Sequence, residues 1–341
     1  MSDHKRQLTG LTLEELTALL ESRSRALAAL RWLYQVSPVP AALPERIPGV
    51  SPEAWANVRK ACELSLPRTV MRRVSADGTL KYVFEAAGAR FEAVLIPAEG
   101  RSTLCVSSQS GCTRHCAFCA TARLGFGRNL HAGELVAQFL IAKGDAPAGS
   151  PLRNVVFMGM GEPFDNLDEV LRAIGILEQP PAPQLGASHI TVSTSGVLPG
   201  MERFLRESES HLALSLNATT DAQRAELMPQ TRQWPLAQLL ELLRMSSAQS
   251  ERLFFVEYVL LDGFNDSDDD ARRLVALLKG VRARVNLIPH NGFEGCGYRP
   301  SRSERVLAFQ RIVHESGIRC LLRSSRGDEI GAACGQLALR S

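Results

Sequence analysis

Apolar and polar positions change their spacing along the chain, and the first two changes mark two predicted N-terminal units. Residues 11–66 carry apolar side chains at steps of three and four, which predicts helices, and Ser51 before a proline is typical of a helix start. Residues 67–98 contain two β-like runs around Asp77-Gly78, a hairpin signal, and then the strand-like FEAVLIP. We therefore predict a small helical domain over residues 1–66 and a β-hairpin extension over residues 67–98.

From residue 103 onward, short β-branched or apolar runs alternate with helix-like stretches such as GELVAQFLIAKG and DEVLRAIGIL. Such alternation is typical of βαβ units and a parallel sheet. We predict an α/β fold in which residues 99–341 form a partial (βα)6 barrel. Six runs are expected to be its strands: TLCVSSQ, NVVFMGMG, HITVSTSG, HLALSLNA, RLFFVEYVLL and RVNLIPHN. Polar and glycine residues follow these runs, and the carboxyl ends of parallel strands are where α/β folds place their sites.

Composition sets limits on the class of protein without indicating an activity. The 341 residues are 45% hydrophobic and 22% charged, as in an ordinary globular protein, and a net charge of +3 permits a nucleic-acid partner without arguing for one. The start MSDHKRQLTG has no apolar signal region, and no apolar run reaches the length of a membrane span. We therefore expect a cytoplasmic monomer without membrane contact, in which clustered thiols bind metal or act in catalysis.

Three of the eight cysteines lie close together in GCTRHCAFCATA. Cys112, Cys116 and Cys119 have the spacing C-x3-C-x2-C. A structural zinc site normally has four protein ligands, and no second C-x2-C pair is present to complete one. Three thiolates on one loop suit three irons of a [4Fe–4S] cluster and leave the fourth iron open for a substrate or cofactor. The sequence favours such a cluster, and a zinc site and inert buried thiols are the alternatives.

Several stretches resemble one known family. C-x3-C-x2-C after the first barrel strand is similar to the radical S-adenosylmethionine (SAM) superfamily. TLCVSSQSGCTRHCAFCATARLGFGRNL, NVVFMGMGEPFDN, ITVSTSGVLPG, VNLIPHN and SSRGDEIGAACGQL are similar to the RlmN/Cfr family of RNA methyltransferases, and RWLYQ resembles that family's small helical domain. The resemblance covers nearly the whole chain. It implies that the open iron binds SAM and that one electron cleaves SAM to a 5′-deoxyadenosyl radical. A radical is needed because the adenine ring carbon is not nucleophilic enough to attack a sulfonium.

The same resemblance assigns residues to the SAM site. Gly161 and Glu162, in the GEP motif after NVVFMGM, would meet the ammonium group of SAM, which needs a carboxylate or carbonyl acceptor. The other implied SAM contacts lie at later strand ends and are Ser193, Ser215, Leu216, Asn217 and Asn291. Asn217 departs from the family, which commonly has histidine there, and asparagine cannot take a positive charge. The alternative is that the GEP motif is a turn and that the other residues satisfy nearby backbone.

Three residues are implied to carry the methyl transfer. Cys334 would accept a methyl group from one SAM, and a second SAM would supply the radical that activates this methyl group, so each turnover uses two SAM molecules. The activated carbon would bond to adenine, and Glu92 would accept the ring proton. Cys105 would then attack the sulfur of Cys334, by the logic of thiol–disulfide exchange. This step frees the product and leaves a disulfide between the two cysteines. Taken alone, Glu92 is typical of a surface strand residue.

The three remaining cysteines have no implied role in this chemistry. Cys62 lies in a helical stretch and Cys320 in a strand-like run, so both are interpreted as small core hydrophobes. Cys296 lies in the loop GFEGCGYRP, which is unlike the family, and no function is assigned to it.

RNA phosphates would be held by arginine and lysine side chains. The candidates are Arg72, Arg73, Lys81, Arg123, Arg128, Arg299, Arg302 and Arg305. We predict an RNA methyltransferase that acts on adenine C2 of 23S rRNA, with tRNA as a further substrate and an electron donor such as a flavodoxin system. The target adenine must be unstacked to enter the barrel. The alternatives are methylation at adenine C8, a radical SAM reaction on a peptide or metabolite, and a non-catalytic RNA-binding protein.

Overall fold

The N-terminal part is a three-helix unit closed by a short parallel strand pair. The computed structural model describes residues 5–181 and 183–339, so residues 1–4, 182, 340 and 341 of the predicted domains lie outside the described residues. Thr12 begins the first helix with a capping box, because its hydroxyl accepts from the Glu15 N–H while the Glu15 carboxylate accepts from the Thr12 N–H. The elements are β1 (Arg6–Gln7), α1 (Leu13–Leu20), α2 (Arg23–Gln35), α3 (Pro52–Ala61) and β2 (Cys62–Glu63).

The helical prediction for residues 11–66 is confirmed for three helices and wrong for the segment between α2 and α3. Residues 36–50 form no helix, and the four prolines in this segment remove backbone donors that a helix would need. The predicted start at Ser51 is confirmed, since its side chain accepts from the Ala54 N–H. Trp55 is fully buried and belongs to the same apolar core as barrel residues such as Phe157.

Four antiparallel strands follow and lead directly into the barrel. They are β3 (Arg68–Val74), β4 (Leu80–Ala86), β5 (Ala89–Ala98) and β6 (Arg101–Cys105). The predicted hairpin at Asp77-Gly78 is confirmed, and Gly78 has the positive φ of +81° that such a turn favours in glycine. Because β5 pairs with β6, the hairpin and the barrel share one continuous sheet.

The rest of the chain alternates strands with helices. All six predicted runs contain strands, and a seventh parallel strand around Cys320 extends the sheet beyond the six that were predicted. The elements are β7 (Gln109–Gly111), β8 (Phe126–Asn129), α4 (Ala132–Asp145), β9 (Leu152–Phe157), α5 (Leu167–Glu178), β10 (Ile190–Thr194), α6 (Leu198–Glu207), β11 (His211–Ser215), α7 (Asp221–Leu227), α8 (Leu236–Gln249), β12 (Phe254–Leu260), α9 (Asp268–Leu277), β13 (Ala283–Pro289), α10 (Ser303–Glu315) and β14 (Arg319–Leu322).

Ten strands form the central sheet in the order β14-β13-β12-β11-β10-β9-β6-β5-β4-β3. Seven neighbouring strands of this sheet are parallel, so their carboxyl ends meet at one edge. They are β6, β9, β10, β11, β12, β13 and β14. We call this edge the carboxyl edge. The α/β prediction is thus confirmed, and the helix crossovers bury the sheet as parallel sheets require. Among the described residues, no helix is both long and apolar enough to cross a membrane.

Candidate active site at the carboxyl edge of the sheet

The cysteine loop, residues 112–119, leaves the sheet after β6 and is closed by the antiparallel pair of β7 and β8. Gly111 has a φ of +83°, and a Cβ there would lie 1.9 Å from the Gly125 carbonyl oxygen, so only glycine fits. The Cys112 N–H donates to the same oxygen at 3.0 Å, and the Ala117 N–H donates to the Leu227 carbonyl at 2.8 Å. Backbone hydrogen bonds therefore hold the loop against the carboxyl edge.

Cys112, Cys116 and Cys119 are all partly buried on this loop. Burial raises the pKa of each thiol, to about 12 for Cys112 and well above the usual value for Cys116, and neighbouring cysteines raise the pKa of both further. A bound metal would instead deprotonate a coordinating thiol. Over residues 5–181 and 183–339, no three histidine, cysteine or acidic side chains are grouped closely enough to hold a single metal ion. Three thiols without a fourth protein ligand fit a [4Fe–4S] cluster, in which each thiolate binds a different iron.

Gly161 and Glu162 follow β9 and lie beside the cysteine loop. A Cβ on Gly161 would come within 2.7 Å of the side chains of Ser108 and Gln109, so glycine lets the backbone approach the loop after β6. The Gln109 side-chain oxygen accepts from the Glu162 N–H at 2.9 Å. The GEP motif is therefore a tightly packed bend, and the Gln109 side chain fixes the backbone that carries the Glu162 carboxylate.

The Glu162 carboxylate is buried beside the cysteine loop. Its Oε2 accepts from the Ser195 N–H at 2.8 Å and the Ser195 hydroxyl at 2.7 Å, while Oε1 accepts from the Phe164 N–H at 3.1 Å. Burial raises the pKa of Glu162, and the Ser195 N–H and the Arg114 guanidinium oppose this rise. A buried carboxylate held in this way can act as the acceptor for a cation.

The next two strand ends bring Ser193 and Ser215 together, with their hydroxyl oxygens 3.1 Å apart. Leu216 and Asn217 follow Ser215 and are buried. Asn217 has a positive φ of +57°, a conformation that asparagine tolerates better than most residues. Its Oδ1 accepts from the Val259 N–H at 3.0 Å, so this amide is engaged by the neighbouring strand.

Arg224 connects these strand ends, and sequence reasoning missed it. It is 1% exposed, and its guanidinium donates to the carbonyl oxygens of Ser195, Ser215 and Leu216. Burial lowers the pKa of Arg224 to about 10, and the nearby Cys116 opposes this shift first. Arg224 lies in the polar helix sequence DAQRAEL, a pattern that indicates a solvated arginine and carries no signal of burial.

The segment after β14, residues 324–339, carries Cys334 and is called here the carrier segment. It docks on the two residues that directly follow the cysteine loop, because the Ala120 N–H donates to the Gly335 carbonyl at 2.7 Å and the Thr121 hydroxyl donates to the Leu337 carbonyl at 2.6 Å. Asn291 lies beyond β13, and its Nδ2 donates to the Cys334 carbonyl at 3.1 Å. The structure therefore places Asn291 against the carrier segment.

The hairpin of β3 and β4 holds the other end of the carrier segment. Glu329 Oε1 accepts from the Ser75 hydroxyl at 2.8 Å and from the Ala76 N–H at 2.7 Å. The Gly327 N–H donates to the Asp77 carboxylate at 3.3 Å. These contacts join residues about 250 positions apart in the sequence.

Cys105 and Cys334 lie within electrostatic range of each other. Burial raises the pKa of the Cys105 thiol, and Cys334 raises it further. Cys334 is exposed as a residue, yet the protein atoms around its sulfur raise the pKa of its thiol, first by desolvation and next through the Glu257 carboxylate. All eight cysteines are free thiols, so the disulfide implied by the family resemblance is not formed in this structure.

Glu92 lies on β5 with a fully buried side chain, so its interpretation as a surface strand residue is wrong. Burial raises the pKa of Glu92, and Lys81, followed by the backbone N–H groups of Leu339 and Ala338, lowers it. The fold therefore places the Glu92 carboxylate against the carrier segment, beside the backbone of Ala338 and Leu339. Sequence pattern could not show this, because the burial comes from a segment more than 200 residues away.

Several predicted RNA contacts are occupied within the protein. Lys81 is 2% exposed, so its prediction as a phosphate contact is wrong. Arg72, Arg128 and Arg305 form ion pairs with Asp145, Glu134 and Asp268, and Arg123 donates to the backbone of residues 294 and 295. Arg73, Arg299 and Arg302 are exposed, and their side chains have neither an ion pair nor a hydrogen bond among the described residues.

Comparison with known proteins identifies the family. Residues 106–275 match the Radical SAM superfamily. The dual-specificity RNA methyltransferase RlmN of Geobacter sulfurreducens is 41% identical and aligns over 97% of this chain and 91% of its own. RlmN of Paracoccus denitrificans is 42% identical over 97% of this chain and 89% of its own.

A solved structure agrees with the sequence comparison. The crystal structure of a radical SAM methyltransferase from Sphaerobacter thermophilus matches with a TM-score of 0.90 and 39% identity, covering 97% of this chain and 99% of that one. Sequence, fold and the cysteine loop lead to the same assignment: this chain belongs to the RlmN family of radical SAM RNA methyltransferases.

Proposed function

We propose that this enzyme methylates adenine C2 of 23S rRNA and of tRNA through a methyl group carried on Cys334. The observation that supports the proposal most directly is the docking of the carrier segment directly beside the cysteine loop, through the 2.7 Å bond from the Ala120 N–H to the Gly335 carbonyl. A methyl carrier must lie beside the groups that activate it. The relatives are named dual-specificity RNA methyltransferases, which supports two RNA substrates.

The cofactors implied by the family fit the carboxyl edge. One [4Fe–4S] cluster and two SAM molecules per turnover would supply a methyl group and a carbon-centred radical. Cys112, Cys116 and Cys119 would hold the cluster. Glu162 would bind the ammonium of SAM through its carboxylate, next to the bend at Gly161. The remaining SAM contacts would come from the strand ends at Ser193, Ser215, Leu216 and Asn217, with Asn291 near the carrier segment.

The chain's own residues divide the remaining work. Cys334 would bear the methyl group, held in place by Asn291 at its carbonyl oxygen. Glu92 would accept the proton from the adenine ring carbon, because it is a buried carboxylate facing the carrier segment. Cys105 would attack the Cys334 sulfur, form a disulfide with it and break its bond to the product carbon. The electrostatic influence of Cys334 on the Cys105 thiol supports this pairing. A one-electron donor such as flavodoxin, and action as a monomer, stay predictions.

Nucleoside mass spectrometry of 23S rRNA and tRNA tests the proposal. RNA from cells that carry the gene is expected to contain 2-methyladenosine that is missing when the gene is deleted and returns with the wild-type gene. Return with a Cys334→Ala gene would contradict the carrier role. Finding 8-methyladenosine instead would overturn the C2 assignment, and identical nucleosides with and without the gene would overturn RNA methylation by this chain.

Glu162→Gln is expected to weaken SAM binding by about tenfold or more, because the ammonium then donates to a neutral amide oxygen instead of a charged carboxylate. Isothermal titration of SAM against anaerobically reconstituted protein measures the change, and visible absorption checks that the cluster remains. Glu178→Gln is the matched control, since Glu178 is a half-buried carboxylate at the end of α5 that accepts from the Ser210 hydroxyl. Equal SAM affinity in wild type and Glu162→Gln would mean that the GEP motif is only a structural turn and does not bind SAM.

A further inference from the structure

Lys81 is buried, and a buried lysine needs a partner for its charge. Its side chain on β4 is 3% exposed, and lysine is almost never fully buried unless it is paired. Its Nζ lies 2.9 Å from Glu92 Oε1, in an ion pair whose angles fall outside ideal hydrogen-bond geometry. Glu92 faces Val83 across the ladder, two positions from Lys81, so the lysine and the carboxylate are diagonal neighbours on one face of the sheet.

The same ammonium also contacts the carrier segment. Lys81 Nζ donates to the Gly331 carbonyl oxygen at 3.0 Å, three residues before Cys334. Gly331 has a positive φ of +63°, so the carbonyl is presented by a backbone bend that glycine favours. One buried charge therefore joins Glu92 on β5 to the segment that carries Cys334.

Glu92 depends on this charge because its side chain has no contact with water. An isolated buried carboxylate takes up a proton rather than keep its charge. Burial raises the pKa of Glu92, and Lys81 is the charged side chain that opposes this rise, ahead of the N–H groups of Leu339 and Ala338 from the carrier segment. Loss of Lys81 would raise the pKa of Glu92 further and so favour the neutral acid, which cannot accept a proton.

We propose that Lys81 is a positioning residue for RNA methylation, which keeps Glu92 ionised and holds it against the carrier segment. The proposal rests on the proposed function and concerns its acid–base step alone. In that step the proton moves from the adenine ring carbon to a Glu92 oxygen. The bonding electron pair stays in the ring, and Lys81 takes no part in the proton transfer.

A pH profile tests the role of the charge. Ionised Glu92 is the active form, so activity falls as the pH falls through the Glu92 pKa. Lys81→Met removes the charge, raises this pKa further and is expected to move the acid limb of RNA methylation to higher pH by about 1 to 3 units. Lys279→Met, at an exposed lysine after α9, is the matched control and should keep the wild-type profile.

Two measurements separate positioning from folding. Methylation of the Cys334 sulfur does not use Glu92, so peptide mass spectrometry should find the same S-methyl occupancy in Lys81→Met as in wild type. The later intermediate should persist instead, as RNA covalently bound to Cys334 at low pH. The double variant Lys81→Met/Glu92→Gln should be no less active than Glu92→Gln, because Lys81 acts through that carboxylate.

An unshifted acid limb in Lys81→Met, with wild-type protein active on RNA, would overturn the role of Lys81. Loss of S-methyl occupancy without the RNA adduct would do the same, since it indicates a disturbed fold. Inactive wild-type protein would instead contradict the proposed function, so the two failures are distinguishable.

Discussion

Cys334→Ala is expected to abolish RNA methylation, because no sulfur remains to carry the methyl group. Tryptic mass spectrometry of wild-type protein should find an S-methyl mass on the peptide that contains Cys334, and the variant should lack it. Cys105→Ala is expected to differ. It should still methylate Cys334 and still attack RNA, but it cannot release the thioether, so the purified protein should carry RNA bound at Cys334 that nuclease largely removes.

The control for this pair is Cys320→Ala, which truncates a buried cysteine on β14 outside the site. It should be slightly destabilised and fully able to methylate RNA. If Cys105 and Cys334 were structural instead, both of their alanine variants would resemble this control and neither would hold RNA. Normal turnover by Cys105→Ala would remove the releasing role from that residue.

Loss of the cluster is the second large expected effect. Changing Cys112, Cys116 or Cys119 to alanine should leave two thiolates where a three-thiolate cluster needs one for each of three irons. Anaerobic reconstitution of the wild type should give a brown protein with about four irons per chain, and each variant should stay nearly colourless and inactive. Iron analysis together with visible absorption measures this outcome.

Cys296→Ala provides the matched comparison for the cluster. Cys296 lies near Cys119, whose thiol pKa it influences, but it is outside the C-x3-C-x2-C spacing and should retain a full cluster when replaced. Loss of the cluster in Cys296→Ala would mean that the ligand set was assigned incorrectly. A colourless wild-type protein that binds zinc after reconstitution would contradict the cluster itself.

Local pattern was sufficient for the strands and for the cysteine loop. Strand identity follows from short apolar runs, and the start of α3 follows from one serine and one proline, because both signals depend on neighbouring residues. The break over residues 36–50 was also readable in principle, since its prolines are visible in the sequence. The helical interpretation is wrong there because prolines remove the backbone donors that a helix needs, whatever the apolar spacing.

Contacts between distant segments could not be inferred from pattern. Lys81 lies beside apolar residues on a hairpin, where a lysine is typically solvated, and its contact with Gly331 of the carrier segment is evident only from the fold. Arg224 is hidden in the same way within a polar helix. Glu92 was selected through family resemblance, while its burial and its partner became evident only from the fold.

The hydrogen bonds between the hairpin and the carrier segment also indicate an order of folding. The bonds from Ser75 and Ala76 to Glu329 close a loop of about 250 residues, whereas neighbouring strands of the sheet close much shorter ones. Non-local contacts form after local ones, because the entropy of closing a long loop is lost before any contact compensates for it. The barrel can therefore reach its native sheet while Cys334 is still undocked. We therefore expect this chain to reach native-like structure and catalytic competence at separate stages of its maturation.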